Sequence, residues 1–111
     1  MTTKTAISVA KEYSDEPAGR YPSDGSFSGE RFRKELLVPA LKGHEHVTVD
    51  FDGTEGYGSS FLEEAFGGLV RDGFAPAQLR KQLEIHSKED PTVIEEIWGY
   101  IDEAAQQAKA R

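Results

Sequence analysis

Two serines stand side by side at Ser59-Ser60, behind the glycine-rich stretch Gly53-Thr54-Glu55-Gly56-Tyr57-Gly58. Helical spacing follows at once in Phe61, Leu62, Ala65, Phe66, Leu69 and Val70. A serine in that place has two chemistries open to it. Its oxygen can accept from a free backbone amide, and Ser60 with Glu63 has the spacing of a capping box. Its hydroxyl can also carry a phosphoryl group, which the free amides and positive potential of a helix start tolerate. The same hydroxyl can cap in one state and carry phosphate in another.

Other side chains offer weaker chemistry. Arg20 stands alone among flexible residues in Gly19-Arg20-Tyr21-Pro22-Ser23-Asp24-Gly25, where a guanidinium can take an anion or a partner's carboxylate. No Gly-Lys-Ser/Thr follows it, so it is not part of a P-loop. His44 and His46 are two apart and would share a strand face, but His86 is the only other histidine and no third ligand converges. Asp50 and Asp52 share a strand face, with Glu55 beyond them, and turn and strand-end structure accounts for all three. The chain has no cysteine, which excludes disulfides, thiolate nucleophiles and cysteine-based zinc sites. No nucleophile with a nearby base can be assembled, so no enzyme, cofactor or metal is expected.

The elements that must hold these residues alternate along the chain. Thr5 to Val9 reads as a strand, with Ile7 and Val9 on one face. A long loop over 14–29 follows, with a short strand expected near Arg20-Tyr21. Ser28 caps a helix with Phe32, Leu36, Leu37 and Leu41 as its stripe, and Pro39 is expected to kink or end it. Val47, Val49 and Phe51 alternate in the clearest strand, His46 to Asp52. The serine-led helix closes at Asp72-Gly73. Its internal pair Gly67-Gly68 gives up about 1 kcal/mol each against alanine, which close packing would justify. Leu79, Leu83 and Ile85 predict a third strand over Leu79 to His86. Asp90-Pro91 starts a last helix with Val93, Ile94, Ile97, Trp98 and Ile101 inward, and a helical or frayed tail from Gln106. Strands alternating with helices imply an α/β layer fold.

The chain has 111 residues, no internal repeat and no linker, which fits one domain over 1–111. Its net charge of −7 argues against nucleic acid and against anionic membrane surfaces, both of which select clustered Lys and Arg. No stretch approaches about 20 apolar residues, so no membrane span is expected. The first residues, Met1-Thr2-Thr3-Lys4-Thr5, lack the apolar run of a secretory signal, and a cytoplasmic protein is expected.

Val47 to Leu62 resembles the STAS domain, the fold of bacterial anti-sigma factor antagonists: a hydrophobic strand with Asp50, a short turn, then Ser59-Ser60 opening an amphipathic helix. Over nearly its whole length, and most in Gly58-Ser59-Ser60-Phe61-Leu62-Glu63-Glu64-Ala65-Phe66-Gly67-Gly68-Leu69, the chain more closely resembles bacterial STAS-like domains of unknown function. The resemblance implies a STAS-like α/β fold, with a mixed sheet of about four strands and helices packed mainly on one face. It implies a regulatory interaction module that docks a signalling partner through Gly56, Tyr57, Gly58, Phe61, Glu63 and Glu64. In such antagonists the second serine of the pair is phosphorylated by a partner kinase. That kinase has a histidine-kinase-like ATPase fold and doubles as the anti-sigma factor. Carried over, the phosphosite is Ser60, with Ser59 beside it. Where the antagonists usually have Asp before the pair and Gly after it, this chain has Gly58 and Phe61. The alternative expectation is a sensor of a small molecule or nucleotide, its anionic group held by Arg20 and the helix start at Ser59-Ser60.

Overall fold

The structure is a computed structural model that describes residues 3–109. Met1 and Thr2 of the expected N-terminal stretch, and Ala110 and Arg111 of the expected tail, lie outside the described residues. Three strands form, β1 (Lys4–Ser8), β2 (His46–Asp50) and β3 (Leu83–His86). They pair in the order β1-β2-β3, and both pairings are parallel. The helices are α1 (Val9–Glu12), α2 (29–43), α3 (59–71), α4 (Pro76–Gln82) and α5 (Thr92–Lys109).

Parallel neighbours need crossover connections, and such crossovers are right-handed. With the order β1-β2-β3, both crossovers step the same way across the sheet and deliver their helices to the same face. The strand residues agree. Ile7, Val47, Val49, Leu83 and Ile85 are buried, whereas Lys4, Ala6 and Glu84 are exposed and Thr48, Asp50 and His86 are half-buried. Ile7, Val49 and Ile85 stand in register across the three strands, as do Ser8, Asp50 and His86 on the other face. One face of the sheet therefore carries the core, and among the described residues the other carries no helix.

The expected mixed sheet of about four strands is corrected to three parallel strands among the described residues. The missing strand is the one near Arg20-Tyr21. The amides of Arg20 and Tyr21 donate to the Asp24 carboxylate (3.2 and 3.0 Å), and a 3-10 turn, Pro22–Asp24, follows. With those donors satisfied by one side chain, no strand partner is needed. The 14–28 loop is closed onto α2 by Ala18 N–H to the Phe27 carbonyl and Gly29 N–H to the Gly19 carbonyl.

The third strand is also shorter than expected. Pro76 takes the first helical position, and Leu79 N–H donates to the Ala75 carbonyl, so residues 76–82 are helical. Leu79 and Leu83 are four apart, a helical spacing, and only Leu83 and Ile85 truly alternate. Pro39 neither ends nor breaks α2. A wide π turn, Arg33–Leu37, precedes it, with Val38 N–H donating to the Arg33 carbonyl. The wide turn relieves the clash that the proline ring would meet in a regular turn.

Phe32, Phe51, Phe61 and Phe66 are fully buried and pass ring contacts between α2, α3 and the end of β2. Each such burial contributes roughly 1.5–3 kcal/mol. Trp98, expected in the core, is half-buried and carries the Arg80 guanidinium 4.3 Å from its ring centroid. Among the described residues no helix is long and apolar enough to cross a membrane.

Candidate functional site

β2 delivers its chain at Asp50 into the loop 51–58, beyond the carboxyl end of the strand. In open α/β sheets that edge gathers functional groups. The loop is tied down from three directions. Gly53, at φ +92, turns the chain so that its amide meets the Glu89 carboxylate at 2.8 Å. The Glu55 and Gly56 amides donate to the Asp15 carbonyl (2.7 and 3.4 Å). Tyr57 packs edge-on against buried Phe51, with centroids 5.4 Å apart, and its hydroxyl donates to Asp90. Clefts of about 360 and 250 Å³ flank Gly56-Tyr57; one reaches Ser87 and Asp90, the other Pro17 and Ala18.

α3 opens directly behind this loop. Gly58 is its N-cap, in extended geometry, and Leu62 N–H donates to the Gly58 carbonyl at 3.1 Å. Ser59 and Ser60 are exposed on the first turn, while Phe61 and Leu62 after them are fully buried. The expected capping box is absent. Ser60 sits two positions inside the helix and makes no cap bond. Glu63, its expected box partner, turns instead to Arg20 and Arg71.

That turn builds an ion network. Arg71 grips Glu63 with both guanidinium nitrogens (2.8 and 3.1 Å), and Arg20 donates to the same carboxylate. Burial pushes the Glu63 carboxyl up, but the bonds from Arg71 and Arg20 outweigh it and hold it below its usual range. Below Glu63, the buried pair Arg33–Glu64 closes at 2.9 Å, and Arg33 Nε also donates to Asp72 (2.9 Å). Arg33 Nη1 donates to the Glu64 carbonyl as well.

A profile of the family described as STAS-like domain of unknown function (DUF4325) matches residues 28–93, more than half of the chain. The chain belongs to this STAS-like family. Neither a curated protein nor a solved structure gives a match. The matched stretch of the STAS-like domain runs from the cap of α2 through β2, α3 and β3 into α5, and so contains the serine turn and all of the ion network except Arg20.

Several expected site residues are relocated by the structure. Gly56, Ser59 and Ser60 are exposed, and Tyr57 and Gly58 are half-buried. Phe61, expected to face a partner, is wholly inside the core. It falls on the inward stripe of α3, so it supports the turn from below. Glu64, also expected at the docking surface, is only 5% exposed because Arg33 draws it inward. Glu63 is half-buried between its two arginines. Arg20, expected to take an anion, already gives its guanidinium to Glu63 and Glu64, so an anion would have to displace two carboxylates. His44 and His46 do not converge: His44 Nδ1 lies 3.1 Å from the Ala40 carbonyl, and His46 Nε2 lies 3.6 Å from Glu84. Arg33 and Arg71 were legible only as charges on helices. The glycine pair is the one available hint: Gly68 leaves room for the Arg33 guanidinium, and Gly67 for the Glu63 carboxylate.

Tyrosine ionisation reports on this packing. Burial pushes the Tyr13 phenol up to about 12, and burial with the Asp90 bond pushes Tyr57 up as well. Both native phenols resist ionisation, so the stability they add is full below about pH 10 and falls as pH rises through the native values. Alkaline titration followed by phenolate absorbance should show these two ionising late. Urea midpoints should drop between about pH 9 and pH 11.5 more in the parent than in Tyr57→Phe.

Proposed function

We propose that this STAS-like domain is a regulatory interaction module. It docks a signalling protein through Gly56–Ser60 and the first turn of α3, and phosphorylation of Ser60 switches the docking. One observation carries the reading: two exposed hydroxyls stand on a helix opening whose next two side chains, Phe61 and Leu62, are locked in the core. Such a turn presents its serines in fixed positions to a partner or a kinase.

The surroundings give a phosphate its effect. The Glu55 carboxyl is held above its usual range by the hydrogen bond its protonated form donates to the Glu16 carboxylate and by the charges of Asp15 and Glu16. This rim of the loop is already rich in negative charge. A phosphoryl group would add up to about two further charges beside it, enough to change which surface can approach. The free amides of the first turn of α3 favour the phosphate locally. A partner of histidine-kinase-like ATPase type fits the resemblance to anti-sigma factor antagonists.

Intact-mass spectra of the protein purified from its native host test the switch. The expected result is a species heavier by about 80 Da, localised by fragmentation to Ser60 and lost in Ser60→Ala but not in Ser59→Ala. A phosphate confined to any other residue, or its absence across growth conditions, contradicts it.

A further inference from the structure

We propose that Asp50, Asp52 and His86 form a binding site for a divalent transition-metal ion on the uncovered face of the sheet. Parallel register sets Asp50 opposite His86, so their side chains leave the sheet on one face. Asp52 follows two residues later, in the turn just beyond the strand, and its carboxylate comes back beside the His86 ring. One ligand atom from each of the three lies within 4.8 Å of the others.

The backbone aims these carboxylates. Asp50 Oδ1 accepts from the Asp52 amide at 2.9 Å. Asp52 Oδ1 accepts from the amides of Lys88 and Glu89, at 2.8 and 3.0 Å. Bonds of this kind, on the oxygen away from the ion, orient metal ligands. They leave Asp52 Oδ2 facing His86 Nε2 at 3.3 Å. Two ligands about 2.0–2.1 Å from one ion at a tetrahedral angle stand about 3.3 Å apart. Among the described residues, no lysine or arginine side chain lies within ion-pair distance of Asp50 or Asp52; backbone amides and the His86 ring are what meet the Asp52 carboxylate.

One imidazole with two carboxylates suits Zn²⁺, Co²⁺ or Mn²⁺; thiolate sites select softer ions, and Ca²⁺ and Mg²⁺ select oxygen alone. All three residues are half-buried, so an ion can enter from solvent and keep open positions.

Chelator-treated protein is titrated with Zn²⁺ and, separately, with Co²⁺, by calorimetry. The expected result is one ion per chain. His86→Ala and Asp50→Asn should each weaken binding at least tenfold, since even outer-shell changes cost about 10–100-fold. His46→Ala should leave it unchanged. In nitrogen-15 spectra, Zn²⁺ should move the ring signals of His86 and leave those of His44 and His46 in place. Circular dichroism checks that each variant is folded. Equal affinity in His86→Ala, movement of His44 or His46 instead, or no one-to-one binding would overturn the site and leave Asp52 and His86 as polar neighbours only.

Discussion

Arg33→Ala should lower the unfolding free energy by about 3–5 kcal/mol, the usual loss when one partner of a buried ion pair is removed. Arg33 is 5% exposed, and its guanidinium reaches the Glu64 carboxylate, the Glu64 carbonyl and Asp72. Without it, Glu64 stays buried, with only the longer contacts to Arg20 (3.5 Å) and Arg71 (3.4 Å). A domain of this size has a total stability of about 5–15 kcal/mol, so the loss is a large fraction of the whole. Glu64→Gln should cost a comparable amount. The double variant Arg33→Ala/Glu64→Gln should lose less than the two losses added, by about 0.5–3 kcal/mol, because both act on one interaction. Urea unfolding of the four proteins measures this. Strict additivity would show that the pair does not couple.

Gly29→Ala should destabilise by about 1–3 kcal/mol, against a gain of up to about 1 kcal/mol in helix propensity. A Cβ at Gly29 would stand 2.5 Å from the Phe61 carbonyl oxygen, 3.0 Å from Glu64 Cβ and 3.1 Å from the Ala65 amide nitrogen. Two of these are backbone atoms of α3 and cannot turn aside, so α2 and α3 would have to separate. Separation would shift the helix opening that carries Ser59 and Ser60. Gly68→Ala offers a contrast. Its Cβ would stand 2.6 Å from Arg33 Cζ, a side-chain atom. Gly68→Ala should therefore be harmful in the parent and harmless, or mildly stabilising, in an Arg33→Ala background. Gly29→Ala should stay harmful in both. Thermal unfolding of the single and double variants separates the two cases, and a neutral Gly29→Ala would show that the helices yield.

These glycines mark how far the chain could be read. Strand alternation in Val47, Val49 and Phe51 and the helical stripe from Phe61 to Val70 placed the serine turn between β2 and α3, where it lies. The Gly67-Gly68 pair pointed to close packing, and Gly68 packs against the Arg33 guanidinium. What occupied that space was not legible. Local periodicity reports which face of an element is inward, but not which distant charge meets it. Arg20 finds Glu63 across more than forty residues, so the loop arginine looked free and Ser60–Glu63 looked like a cap. The 76–82 helix was hidden for a related reason: Leu79 serves a helical and an extended pattern equally until Pro76 fixes the start. The register of Asp50 against His86 also joins residues that no local spacing connects.

Docking through the exposed turn is tested most directly by photo-crosslinking in the native host. A photoreactive residue replaces Ser60 in one strain and Gln106 in another. Both positions are exposed, and Gln106 lies about 20 Å along α5 from the Asp90 end that meets Tyr57. A discrete adduct with one partner protein is expected from position 60 and none from position 106. Equal adducts from both positions, or adducts from position 106 alone, would contradict it.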